Sequence, residues 1–408
     1  MAGTVSAVVA TVRQRGIVSL ARCSLPLLSG AKTFDLSQIE QRRGIVSKSM
    51  RLPDYKRKAP FPYTEKRYNL WRAIFDDTTQ RFDENSKILV VDGPPSGNKA
   101  KLAMGIAEEL DMMYMPGANL DERYINKYGY DLRSVNDQLP PNVRCFDIND
   151  FLRDPNHWLV AKMQFELMRI RFGQYLDALS HVLNTGQGVV MNRSIYSEGV
   201  FVDTMAEHGF ITKKAQSFYF ETLEQGDYEF MRPHLVIYLD IPVQQVLKNI
   251  KDRNRPEEVN SPFYTAKVLA SLEKNYKEKY LRKMAKHAEV LVYNWKEEGD
   301  PEVVVEDIER INFDKYTDYD LKLEDWRFDK EWDWKYKRIM FSQYREHLLS
   351  DLILPKLNVP ELVATADEVM TFYDVYENKV PGNKYLHGFN KDLGDSYLFK
   401  LKSDSLIK

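Results

Sequence analysis

The chain has 408 residues, 43% of them hydrophobic and 29% charged, enough to bury one large core or two modest ones, which excludes wholesale disorder. Its 58 basic and 60 acidic side chains almost cancel, leaving a formal charge of −2. That balance argues against a nucleic-acid partner, which would need an excess of Lys and Arg on one face.

The charge is unevenly spread. Residues 1–48 carry seven basic side chains against Asp35 and Glu40, with no acid before Asp35 and with Ala, Val, Ser and Leu between the arginines. This is the composition of a mitochondrial targeting segment, with removal expected between Arg42 and Met50. Residues 49–84 read as a basic, Pro-containing irregular arm. Only Cys23 and Cys145 are present, and the seven histidines show no paired metal spacing. Neither a disulfide framework nor a cysteine-ligated cluster is expected, and no metal site is predicted. No apolar run approaches the roughly 18 to 20 residues that span a bilayer, so the chain is expected to be soluble or peripheral to a membrane.

An αβ pattern starts at Ser86. A short buried strand, Ile88–Asp92, leads through a Gly and Pro turn into a helix whose Leu102, Ile106 and Leu110 share one face. A long helix is predicted over Trp158–Leu183, stopped by Gly186 and followed at once by the strand Gly188–Asn192. The run His234–Asp240 is continuously apolar, as suits a parallel strand covered on both faces, and precedes a helix with Val243, Val246, Leu247 and Ile250. Ser261 and Pro262 read as a helix start, with Leu269, Leu272, Tyr276 and Tyr280 along one side, and a last strand spans Ala288–Asn294. Alternating strands and helices predict a doubly wound parallel α/β sheet of about five strands over residues 85–312.

Beyond it, residues 313–408 form an aromatic-rich C-terminal extension. Tyr316, Tyr319, Trp326, Phe328, Trp332, Trp334 and Tyr336 interleave with charges, a mixture that suits an interface or a segment folded onto its own domain. An amphipathic stretch near Val359–Tyr376 and a tail rich in Gly, Asn and Lys complete it.

The turn after the first strand reads Gly93-Pro94-Pro95-Ser96-Gly97-Asn98-Lys99-Ala100. Against the phosphate-loop pattern G-x-x-x-x-G-K-[ST], Gly93 and Lys99 fit, whereas Asn98 replaces the second glycine and Ala100 the hydroxyl residue. The first loss is expected to restrict the backbone cradle, and the second removes a direct Mg²⁺ ligand. Lys99 could still meet an anion at the helix start. Alone, the motif is weak.

Two further segments add context: Asn192-Arg193-Ser194-Ile195-Tyr196-Ser197 at the end of the Gly188–Asn192 strand, and Arg253-Asn254-Arg255-Pro256-Glu257-Glu258, whose arginines could close over phosphate. In this order, the three segments resemble the deoxynucleoside kinase family. Residues 50–408 resemble more narrowly the nucleoside-kinase-like accessory subunits of mitochondrial complex I, notably at Thr185–Phe201, Arg232–Val243, Pro301–Lys315 and the Trp- and Tyr-rich extension.

The resemblance implies a P-loop kinase-like sheet and places Gln164 near the family's base-reading glutamine and Trp158 near its aromatic lining. It also exposes departures. The acid that takes the hydroxyl proton in active members is missing from Tyr114-Met115-Pro116-Gly117, where Asp121 and Glu122 are the nearest carboxylates, and the acid of the family's Asp/Glu-Arg-Ser motif is Asn192. Loss of a general base alone costs on the order of 10² to 10⁴ in rate. No catalytic residue is therefore assigned; the candidate nucleotide contacts are Gly93, Gly97, Lys99, Gln164, Arg193, Arg253 and Arg255.

Three readings remain open: a non-catalytic complex I subunit supporting assembly or stability, a mitochondrial deoxynucleoside kinase using ATP and Mg²⁺, and a nucleotide sensor within the complex. The resemblance implies partners among other complex I subunits, on the membrane arm, and a place at the matrix side of the inner membrane. It also implies bound FAD, but no G-x-G-x-x-G fingerprint supports a flavin here.

Overall fold

The computed structural model describes residues 44–51, 57–354, 358–385 and 389–390. The targeting segment expected up to residue 48 thus falls almost wholly outside the described residues, as does most of the tail.

Five strands, β1 (Ile88–Asp92), β2 (Met113–Met115), β3 (Val189–Asn192), β4 (Leu235–Asp240) and β5 (Glu289–Asn294), form one sheet in the order β2-β3-β1-β4-β5. Every pairing is parallel, with Val90 of β1 opposite Met191 of β3 and Val236 of β4. All five residues of β1 are buried, as a central strand covered on both faces requires. Successive side chains point to opposite faces, so Ile88 and Val90 enter one core and Leu89 and Val91 the other.

The helices that shape the site are α1 (Leu70–Phe75), α2 (Lys99–Glu109), α3 (Val160–Thr185), α4 (Glu198–Glu207), α5 (Val243–Arg253), α6 (Ala266–Asn275), α7 (Pro301–Glu309) and α8 (Glu331–Ser342). The α3 helix contributes Leu176, Leu179 and Leu183 to one core, whereas α2 contributes Leu102, Ala103 and Ile106 to the other. At its end Gly186 takes a left-handed φ of 74°, the usual helix stop. The start expected at Ser261 lies further on: the Thr265 hydroxyl accepts from Val268 N and begins α6, while the Ser261 hydroxyl accepts only from Phe263 N, within a turn.

The arm is not wholly irregular. It contains α1, preceded by the fully buried Tyr68, whose hydroxyl donates to the Asp76 carbonyl at 2.7 Å. The extension is partly internal. Trp334 and Phe341 of α8 join the core beside α3, and Trp326 Nε1 donates to the Arg232 carbonyl at 2.7 Å. Tyr319, by contrast, is 98% exposed. Arg338 of α8 is fully buried; it donates to Asn184 Oδ1 at 2.7 Å and Asp76 Oδ2 at 3.0 Å and lies 3.6 Å over the Tyr68 ring. One guanidinium thus ties arm, long helix and extension together. Among the described residues no helix is long and apolar enough to cross a membrane.

Candidate functional site

The carboxyl ends of β1 and β3 meet below the Gly93–Lys99 loop, where an open parallel sheet leaves a crevice. Asp92, the last residue of β1, is fully buried, and its Oδ1 accepts from Gly93 N and from the Tyr276 hydroxyl, each at 2.8 Å. Gly93 has a φ of +149°, and a Cβ there would lie 2.8 Å from the Leu239 carbonyl oxygen, so only glycine fits between β1 and β4. Gly97 sits against the tip of Ile241. Asn98 takes a φ of 50°, the left-handed shape that the lost glycine would supply, which asparagine tolerates better than most residues. The replacement therefore restricts the loop less than the sequence suggests.

Lys99 opens α2, and its ammonium donates to the Pro94 carbonyl at 2.6 Å. Burial first, then the neighbouring Arg193, pushes its pKa down to about 7, with Asp92 opposing. The loop mouth is held by side chains of this chain. Arg253 donates to Asn98 Oδ1 at 2.8 Å, Asn98 donates to Glu298, and Lys101 pairs with Glu298 at 2.7 Å. Arg253 thus reaches the loop, whereas Arg255 is exposed and pairs with Glu258.

Behind the loop lies a cavity of about 180 Å³ whose polar wall is Lys99, Gln164, Arg171, Arg193 and Glu198. Its apolar wall includes Phe151, Met163, Leu167, Phe201 and Phe263. Trp158, expected as aromatic lining, is half exposed and does not border the cavity. Glu198 is the centre of the polar wall. Gln164 Nε2 donates to its Oε2 at 2.8 Å, Arg193 Nη2 lies 2.8 Å from its Oε1, and Arg171 Nε meets the same oxygen. Burial opposes ionisation of Glu198, but the two guanidinium groups, Arg171 first, outweigh it and hold the carboxyl below its usual range.

Arg193, directly after β3, donates its backbone N–H to the Val91 carbonyl of β1 at 3.0 Å and is left-handed, φ 68°, with its guanidinium 4.0 Å over the Phe201 ring and Nε 3.8 Å from Asp92. Arg171 Nη1 is buried without a hydrogen-bond partner and is available to an acceptor placed in the cavity.

The structure therefore gathers Gly93, Lys99, Gln164 and Arg193 around one cavity, with Gly97 and Arg253 at its loop and Arg255 outside the wall. Arg171 and Glu198 were not among the sequence candidates, although Arg171 falls two helical turns after Gln164 on the same face of α3 and Glu198 directly follows the Asn192–Ser197 segment. Asp121 and Glu122 point elsewhere: Asp121 pairs with Arg133 at 2.6 Å, and Glu122 accepts from Gln174 at 3.0 Å. Among the described residues no cluster of His, Cys, Asp and Glu could hold a metal ion. The Gly93–Lys99 turn beside the cavity is not the G-x-G-x-x-G fingerprint through which a flavin dinucleotide's pyrophosphate is usually bound.

Residues 89–324 match the deoxynucleoside kinase family. The chain is 34% identical to the Mus musculus protein "NADH dehydrogenase [ubiquinone] 1 alpha subcomplex subunit 10, mitochondrial" over 82% of its own length and 89% of that protein. The Bos taurus protein of the same name is 33% identical over 79% of this chain and 90% of its own. A deoxyguanosine kinase of Dictyostelium discoideum is 25% identical over 58% of this chain and 74% of that enzyme. The phosphate-type loop on a five-stranded parallel sheet, together with these similarities, shows that the chain belongs to the deoxynucleoside kinase family, in the group of the alpha subcomplex subunit 10 proteins.

Proposed function

We propose that this protein is an accessory subunit of mitochondrial complex I, the NADH:ubiquinone oxidoreductase, in which a kinase-like domain supports assembly or stability without transferring phosphate. On this reading it resides on the matrix side of the inner membrane, against the membrane arm. The observation that carries it is the identity of about one third with the subunit 10 proteins over nearly their whole length.

The site geometry supports the non-catalytic part. Phosphoryl transfer depends on positioning a nucleophile and neutralising the moving group, with a carboxylate to take the hydroxyl proton. Here no acid follows β2 on the cavity side, and Glu198 is held ionised by two arginines, which makes it a poor base. Ala100 supplies no metal ligand, and Glu298 puts a carboxylate at the mouth that incoming phosphates would approach.

The test is a phosphorylation assay on the purified chain with deoxynucleosides, ATP and Mg²⁺. No turnover above background is expected; robust turnover abolished by Lys99→Ala would establish the kinase instead. In mitochondria, the protein should comigrate with complex I on native gels, and a free species alone would remove the subunit reading.

A second reading is favoured by the cavity itself: Lys99, Gln164, Arg193 and the unclaimed Arg171 Nη1 bind a nucleoside or nucleotide in a sensing role. Calorimetry with millimolar nucleotides tests it, and absence of heat at two temperatures counts against it.

A further inference from the structure

We propose that the outer face of α1 is a docking surface for an anionic phospholipid bilayer. Its position in sequence, i, i+1, i+4 and i+5, puts Leu70, Trp71, Ile74 and Phe75 on neighbouring faces of a short helix whose Ala73 is buried. They are 59%, 77%, 52% and 86% exposed. Side chains this exposed project from the surface and do not line a groove. Such large apolar groups normally sit inside, and a contiguous group of them marks an interaction site.

The projection rests on a fixed base. Asn69 caps α1 by accepting from Arg72 N at 3.1 Å, and Tyr68 behind it is fully buried. Asp76, directly after α1, pairs with Arg81 at 2.7 Å and with the buried Arg338 at 3.0 Å. Trp332, half exposed, adjoins through Lys335, which pairs with Asp77 at 2.6 Å and lies over the Trp332 ring.

Charge selects the partner. Arg57 and Lys58 are taken up by Asp83 and Asp76, and Asp77 by Lys335; over residues 59–75, Lys66, Arg67 and Arg72 stand against Glu65. Projecting Trp, Phe, Leu and Ile beside exposed Lys66 and Arg72 match the layered chemistry of a bilayer surface. Apolar groups enter the acyl boundary, and cations meet anionic headgroups. The inference is separate from the subunit reading, because vesicle binding is a property of the isolated chain.

The test is co-sedimentation of the full chain with vesicles of phosphatidylglycerol and phosphatidylcholine at three to seven, against phosphatidylcholine alone. The wild-type chain should bind the anionic vesicles, and the double variant Trp71→Ser, Phe75→Ser should bind at least about tenfold more weakly. The basic first 48 residues are present in both, so the difference belongs to α1. Both side chains are exposed, so folding should be unchanged, which circular dichroism checks. Brominated acyl chains should quench a fluorescence component that Trp71→Phe removes while binding persists. Equal partitioning of wild type and double variant would overturn the proposal. So would normal vesicle binding by a variant that no longer joins complex I, which would make α1 a protein-docking face.

Discussion

Neutralising Glu198 should cost the fold about 3 kcal/mol. The Glu198→Gln variant keeps the side-chain shape but strips the buried Arg171 of its carboxylate, and breaking one partner of a buried pair costs about 3 to 5 kcal/mol. The lower end applies because Arg193 keeps Asp92 3.8 Å away and the new amide oxygen can still accept from Gln164. With an unfolding entropy of roughly 2.1 cal/mol/K per residue, a unit spanning residues 44–408 should lose about 4 °C in Tm. Urea titration followed by tryptophan fluorescence measures the free energy directly. Adding Arg171→Met removes the stranded charge, so the double variant should recover more than about 1 kcal/mol relative to the sum of the singles.

The pH dependence has a defined sign. The folded carboxyl titrates below its unfolded value, so its contribution is complete above about pH 4.3 and is lost as the pH falls through the folded pKa. The gap between wild type and Glu198→Gln should close over the same window. A Glu198→Gln variant as stable as wild type at pH 7, or strict additivity in the double variant, would refute the claim that this carboxylate is what balances the cavity arginines.

Replacing the fully buried Arg338 by Met should destabilise by about 2 kcal/mol, since Asn184 Oδ1 loses its donor while Asp76 keeps Arg81; urea titration should show it, with proteolysis of the arm accelerated. Gly93→Ala should lower stability by more than about 2 kcal/mol or prevent folding, because the added methyl meets the rigid Leu239 carbonyl, and soluble yield with thermal melting reports it. Lys99, with its pKa depressed to about 7, costs stability below that pH, a cost that fades as the pH rises towards the ordinary lysine range. Lys99→Met should therefore stabilise most at and below pH 7. If a nucleotide binds at pH 8, its phosphate should recharge the amine and draw in up to about one proton, seen by calorimetry in buffers of differing ionisation enthalpy and absent in Lys99→Met.

The sheet was legible because parallel strands covered on both faces are short, continuous apolar runs, as Leu235–Asp240 is, and because α3 repeats its apolar face for seven turns before a glycine stop. The helix start at Ser261 was misplaced by one short turn, since Ser261-Pro262 and Thr265 are both good local starts and only packing chooses between them. The residues lost from the phosphate loop are visible in the sequence, but only the fold shows that Asn98 takes the left-handed backbone shape that glycine would supply.

The extension shows the same division at larger scale. Interleaved aromatics and charges look alike whether they face a partner or their own domain. The fold buries Trp334 and Phe341 against α3 and leaves Tyr319 and Trp332 outside.

Local chemistry was therefore enough to set four of the five strands and the long helix, because each depends on residues close together in the chain, whereas the three-residue, partly exposed β2 was not legible. The pairing of Glu198 with Arg171 and Arg193, the covering of the loop mouth by Glu298 and the burial of Arg338 depend on segments up to 262 residues apart. Charges so distant in sequence acquire a partner, and a preferred protonation state, only when the sheet and helices close around them.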